Sequence, residues 1–309
     1  MGRSEGQPCK CRSMSDCPRV LLIGASGYIG SRLSYELAQM HWPVLGCDLR
    51  QPIARELYED FFCGSYAELP DDLVRKCDAV LWFAGHSSVG LAQKEPWESL
   101  QNNVMDLARL FRRIAGHGKP IIYASSASVL SSAEDQYSLV ANEVSANAYD
   151  AGKLAFDILV PHLGANALGL RMATVSGWSP NMRWDLVFNA MNQSAVREHV
   201  VRVQNTSNFR SLLFIGDLCA YVVNAIKRLT TQNSPSTARQ VALGSWSGTI
   251  GLLAAEIADF WQVPITFGAN SSTYSFVLND REVAASFENS EHFYKSIRQR
   301  CTVFAHPTR

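Results

Sequence analysis

A chain of 309 residues can bury a large core and suits one α/β unit with a smaller lobe beside it. Lys plus Arg and Asp plus Glu both total 28, so no net field draws the protein to nucleic acid or to a membrane surface. No uninterrupted apolar run approaches the roughly 20 residues that span a bilayer, and the start shows no apolar signal-peptide core. The expectation is a cytoplasmic protein with no nucleic-acid or membrane partner.

The polar segment 1–17 has no hydrophobic periodicity and is expected to be a disordered tail. It carries Cys9, Cys11 and Cys17, while Cys47, Cys63, Cys77, Cys219 and Cys301 are scattered through the rest. Their spacing completes no four-ligand zinc set, so no metal is expected and the thiols read as reduced and incidental.

From Arg19 to Asp48 the chain reads as strand, glycine turn, helix and strand. Val20–Ile23 is apolar, Gly24, Gly27 and Gly30 follow, Leu33 and Leu37 mark a helix face, and a second apolar patch ends on Asp48. Gly24 lets the chain turn, Gly27 lets backbone approach a pyrophosphate, and Gly30 lets helix and strand pack closely. The helix start at Ser26, Gly27, Tyr28 and Ile29 then turns unpaired N–H groups toward the phosphates. Asp48 suits the adenosine ribose hydroxyls and repels a 2′-phosphate, which favours NAD over NADP, with Arg50 near enough to soften the preference.

Further along, 61–63 and 78–84 read as strands, and Leu100, Val104, Leu107, Leu110 and Phe111 fall at helical spacing. Ile121–Ala124 reads as a strand ending on a run of serines, 131–146 as a polar loop, 149–163 as a helix and 167–173 as a strand. This rhythm predicts an α/β, Rossmann-type doubly wound parallel sheet with ligands at the carboxyl ends of its strands. The expected division is a cofactor-binding domain over 18–175 and a smaller substrate-binding lobe over 176–309, with 212–245 returning to the first sheet. In the second part 184–191, 217–229, 249–261 and 291–300 read as helices, 200–203 and 241–243 as strands, and 231–239 as a surface loop.

Tyr149 and Lys153 stand at i and i+4, on one helix face. A phenol titrates near 10 and is a poor base at neutral pH, but a neighbouring ammonium favours phenolate and makes proton transfer feasible. Ser126, at the end of the preceding strand, can bond the same reacting oxygen.

With these residues in place the sequence resembles the extended short-chain dehydrogenase/reductase family, in particular its NAD-dependent nucleotide-sugar epimerases and dehydratases. The resemblance runs from about Arg19 to Phe287. It implies that Phe83, Ala84 and Gly85 line the cofactor, that Asn103 steadies the active-site end of its helix, and that Ser126, Tyr149 and Lys153 are catalytic. It also implies that Asn189 and Arg210 bind the substrate diphosphate, that Asp217 caps a helix, and that the protein is a homodimer. Three family features are replaced: Val129-Leu130-Ser131 stands for Val-Tyr-Gly, Ser87 for a lysine, and Ser65 for an acidic residue. Dehydratases of the family carry acids directly after the catalytic hydroxyl residue, whereas this chain has Ala127-Ser128. The implied function is therefore epimerase-type hydride transfer at the sugar carbinol of a nucleotide sugar. A ketoreductase of a non-nucleotide substrate and a non-catalytic NAD-binding scaffold are the alternatives.

Overall fold

Strand β1 (Val20–Ile23) is where the fold is centred, because it is buried along its whole length. Val20 and Leu22 pack into the core on one face of the sheet, and Leu21 and Ile23 into the core on the other. Each such side chain contributes about 1.5–3 kcal/mol of burial, and an apolar run closed on both faces is what a central parallel strand requires. The computed structural model describes residues 17–130, 147–231, 237–270, 275, 277–278 and 296–305.

The seven-stranded sheet is parallel throughout. In chain order its strands are β1, β2 (Val44–Asp48), β3 (Asp60–Cys63), β4 (Ala79–Trp82), β5 (Ile121–Ser126), β6 (Ala167–Met172) and, after an excursion, β10 (Ala238–Leu243). Across the sheet they run β10-β6-β5-β4-β1-β2-β3. The order reverses between β1 and β4, which opens a crevice at their carboxyl ends. Helix α1 (Tyr28–Gln39) follows β1, and α6 (Ala148–Leu159) packs against β5.

The rest of the chain builds a second layer. Strands β7 (Thr174–Ser176), β9 (Phe209–Phe214) and β11 (Trp246–Thr249) form one small sheet, and β8 (Val201–Val203) pairs in parallel with β12 (Ile265–Phe267). Helices α7 (Val187–Glu198) and α9 (Ile250–Trp261) close a separate core around Phe188, Leu212, Phe214 and Ile257. Helix α8 (Ile215–Thr231) leads from β9 back to β10.

Several expectations are corrected. The helix read over 184–191 begins only at Val187 and continues to Glu198. Ala238 and Arg239, read as loop, pair with Ala167 and Leu168 in the main sheet. Asp217 lies inside the first turn of α8 instead of capping it, and there it forms a buried ion pair with Arg300 at 2.8 Å. Cys17 is buried and disulfide-bonded, against the expectation of a reduced thiol, whereas Cys47, Cys63, Cys77, Cys219 and Cys301 are free. The expected tail over 1–16, the polar loop 131–146 and the helix start at 291–295 lie outside the described residues.

Candidate active site

The glycine turn forms as its spacing demands. Gly24 has φ +86°, and a Cβ there would stand 2.6 Å from the backbone of Phe83 and Ala84. A Cβ on Gly30 would meet the Gly24 carbonyl oxygen at 2.0 Å, so only glycine lets α1 lie this close to β1. Gly27 is the N-cap of α1, with no side-chain cap and no acid in the first turn. The positive end of α1 therefore faces the crevice with its first N–H groups directed outward, an arrangement that fits a pyrophosphate. Asp48 accepts from the Ser26 N–H at 3.0 Å and from the Arg50 N–H at 3.1 Å. A carboxylate has about four acceptor positions, so capacity remains for ribose hydroxyls.

Phe83, Ala84 and Gly85 continue β4 along the crevice edge, half-buried. Asn103 is 1 % exposed. Its amide clamps the His86 backbone from both sides, accepting from N–H and donating to C=O at 3.0 Å each. It thus steadies the loop after β4. Gly85, at φ +94°, is needed because a Cβ would stand 2.3 Å from the Asn103 oxygen.

Tyr149 lies in the first turn of α6, half-buried. Lys153 is 5 % exposed; its Nζ donates to the Ala124 carbonyl at 2.9 Å and sits 4.8 Å from the centre of the Trp82 ring. The same ammonium is 5.8 Å from the Tyr149 ring centre. Burial pushes the Lys153 ammonium down to about 8, and the negative charge of Asp157 opposes that shift. Asp157 is fixed by Tyr123, Ser125 and Arg171 at 2.8, 2.9 and 2.8 Å. Ser126, at the last position of β5, lies 2.7 Å from the hydroxyl of Ser128. The structure thus sets Lys153 between the Tyr149 and Trp82 rings, bonded two residues before Ser126 at the end of β5.

Two predicted contacts are turned inward. Tyr28 donates to the Gly177 carbonyl at 2.6 Å and accepts from Asn189 at 3.1 Å. Asn189 is fully buried; its second amide proton goes to the Arg183 carbonyl at 2.9 Å, and its oxygen accepts from the Gly177 N–H at 2.8 Å. Both amide protons are committed within the protein, so Asn189 shapes the 177–183 loop and has no donor left for a diphosphate. Arg210 donates to the Phe209 carbonyl at 3.2 Å. It is 8 % exposed and lines a 480 Å³ cavity of the second lobe together with Asp185, Met191, Arg202, Gln204 and Phe267. Arg202 is held by Glu198 at 2.7 Å and Asp185 by Arg183 at 2.5 Å.

Sequence reasoning gave no role to Trp82, Asp150, Asp157 or Arg183. An acid at the third position of a helix whose N-cap is Asn147 is the ordinary pattern of a helix start, so Asp150 carried no separate signal.

The family model described as the NAD dependent epimerase/dehydratase family matches residues 20–238, most of the chain. The chain belongs to that family. Among relatives of this epimerase/dehydratase chain, a UDP-glucose 4-epimerase of Azospirillum brasilense is 33 % identical over 165 residues, which are 50 % of this chain and 47 % of the relative. The match thus spans about half the length of that relative. Among solved structures, the UDP-glucuronic acid 4-epimerase of Bacillus cereus, in complex with UDP-glucuronic acid and NAD, superposes with a TM-score of 0.77. It is 18 % identical, over 94 % of this chain and 100 % of the other. An NAD-dependent NDP-hexosamine 5,6-dehydratase of tunicamycin biosynthesis gives 0.78 at 18 % identity, over 94 % and 99 %. At these identities the structures speak for the fold. The glycine cradle, the uncapped start of α1 and Asp48 fit the NAD on which the family depends.

Proposed function

We propose that the protein is an NAD-dependent epimerase acting on the sugar of a nucleoside-diphosphate sugar. The observation that supports this reading is the buried Lys153, which lies 5.8 Å from the Tyr149 ring and is bonded to the Ala124 carbonyl, two residues before Ser126 on β5. When bound, NAD supplies the acceptor and then the donor of one hydride. Tyr149 takes the carbinol proton from the reacting oxygen and returns it. Lys153 favours the phenolate by its charge, and two of its three ammonium protons remain to hold a ribose. Ser126 bonds the same reacting oxygen. Arg210 offers a planar fork suited to diphosphate oxygens, and the second-lobe cavity gives the nucleotide a place. Related members include a dehydratase; the Ala127-Ser128 pair after Ser126 has no carboxylate of its own, which favours epimerisation. A homodimer and a cytoplasmic setting belong to the same reading. The five free thiols among the described residues suit a reducing compartment, while the Cys17 disulfide does not.

One experiment separates the possibilities. NAD-loaded protein is incubated with a panel of UDP- and dTDP-sugars in deuterated water, and the sugars are analysed by NMR and mass spectrometry. The expected result is a carbinol epimer with no deuterium on carbon. Deuterium on carbon with loss of water would assign a dehydratase. Stoichiometric conversion of NADH to NAD with a simple ketone would assign a ketoreductase, and no conversion of any compound would support a scaffold.

A further inference from the structure

Asp150 is buried on α6, 4 % exposed, and among the described residues it has no cationic partner. Its carboxylate accepts instead from the Ser128 hydroxyl at 2.5 Å and from the Asn147 amide at 2.6 Å. Ser128 is in turn 2.7 Å from Ser126. A continuous chain of hydrogen bonds therefore runs from the candidate substrate-facing hydroxyl of Ser126 to a carboxyl with little access to solvent. Capping alone does not explain it. The N-cap is already made by the Asn147 oxygen, which accepts from the Asp150 N–H at 3.0 Å, and a buried carboxyl without a cation is unfavourable for stability.

We propose that Asp150 is a positioning residue, the far end of a Ser126–Ser128–Asp150 relay that sets the direction of the Ser126 proton and stores the proton of the substrate carbinol. The proposal rests on the redox reading above.

The protons along the chain set its direction. Each hydroxyl has one. When Asp150 is ionised, Ser128 gives its proton to the carboxylate. The Ser126–Ser128 contact is then made by the Ser126 proton, and Ser126 turns a lone pair to the substrate. That polarity accepts a bond from an alcohol. When Asp150 is protonated the direction reverses: Asp150 donates to Ser128, Ser128 to Ser126, and Ser126 donates to the substrate oxygen. That polarity suits a ketone. An enzyme that oxidises a carbinol and then reduces the ketone needs both.

The transfer balances. The carbinol proton passes to Ser126 as the Ser126 proton passes to Ser128 and the Ser128 proton to Asp150. Three O–H bonds break and three form; NAD, when bound, would be the acceptor of the carbon-bound hydrogen with its electron pair. The reverse sequence returns the proton, in parallel with the direct route through Tyr149. Burial raises the carboxyl of Asp150 above the ordinary carboxylate range, and the bonds from Ser128 and Asn147 hold it back. Elements packed on α6 carry Lys94, Glu98, Asp106, Tyr123 and His162, and α6 itself carries Tyr149, Lys153 and Asp157. None of these figures among the influences on Asp150.

The test is the appearance of reduced nicotinamide after mixing NAD-loaded protein with the sugar nucleotide that turns over, followed across pH. The wild type is expected to slow as pH falls through the titration of Asp150. Asp150→Asn and Ser128→Ala are each expected to slow the step by roughly 10–10² and to remove that acidic limb. The double variant should be no slower than either single one. Infrared spectroscopy of the protein without sugar supplies a second readout: a protonated-carboxyl band that grows as pH falls and is missing from Asp150→Asn. A wild-type pH profile in both variants, or loss of thermal stability with an unchanged profile, overturns the relay. Absence of nicotinamide reduction in the wild type with every sugar nucleotide overturns the redox reading itself.

Discussion

Lys153 shows how much a residue depends on surroundings that lie far away in sequence. The Tyr149–Lys153 pair was legible as an i, i+4 spacing, but nothing in that spacing says that the lysine is buried over Trp82 and opposite Asp157. Trp82 arrives by sheet pairing, which brings β4 beside β5, while Asp157 stands one turn further along α6 itself. Asn189 failed for the same reason: a sequence match shows an amide but not which groups already hold it. Burial of Lys153 yields a stability prediction. Its folded value of about 8 lies below the unfolded one. Below pH 8 both states carry the charge and the native state bears the full penalty of burying it. Between about 8 and 10.4 the unfolded chain binds the extra proton, so this contribution to stability rises with pH. Relative to Lys153→Met, the wild type should therefore gain stability from pH 8 to 10. Denaturant titrations of both proteins at each pH measure the gap, and a gap that stays flat contradicts a depressed ammonium.

At the scale of elements the parallel strands were readable, because β1, β4 and β5 are apolar runs buried on both faces. Helix boundaries were less so. The helix through Leu100 and Val104 holds a π-turn at Gln101–Asp106, whose extra residue leaves Leu100 38 % exposed while Val104 stays buried. That turn presents Asn103 to His86, a local irregularity that hydrophobic spacing does not report. The helix read over 149–163 ends at Leu159 and tightens into a 3₁₀ turn over Val160–Leu163. Pro161 has no N–H for the Asp157 carbonyl, and Gln240 donates to it instead at 3.1 Å. The short strands β7, β9, β11 and β12 went unread because three to six residues carry little periodicity. The glycine turn is the element most exposed to test. Gly30→Ala places a methyl against the Gly24 carbonyl, where only backbone movement can make room, and should destabilise by about 1–3 kcal/mol and weaken NAD binding at least tenfold. Gly216→Ala, in α8 with open space around its Cβ position, should leave both unchanged or slightly improve stability. Denaturation and calorimetric NAD titration of the pair distinguish a tight approach from a general intolerance of alanine.

Across the whole molecule the two layers are tied at the cofactor end. Ser31 and Ser179 share a hydrogen bond at 2.9 Å, Asn181 donates to the Ser26 carbonyl at 2.7 Å, and Tyr28 reaches Gly177. The start of α1 is thus built into the same loop that Asn189 shapes, so dinucleotide and sugar nucleotide would meet on one rigid wall. The opposite flank is less finished. Helices α3 (Val89–Lys94) and α4 (Pro96–Leu100) pack on α6, and this group exposes Trp97 at 68 % and Ile158 at 64 %, with Met105 of the π-turn at 47 %. Large apolar side chains gathered on neighbouring helices are more than the scattered surface residues of a monomer, and a twofold pairing of such a flank is self-complementary. The proposed homodimer would use this flank. Analytical ultracentrifugation should show a dimer at micromolar concentration. Trp97→Glu and Ile158→Glu should each shift the protein toward monomer by roughly tenfold or more in dissociation constant, because a charge would be buried without a partner. Neither residue touches the glycine turn, so NAD affinity should persist. A wild type that sediments as a monomer, or glutamate variants that remain dimeric, would remove this flank from the interface.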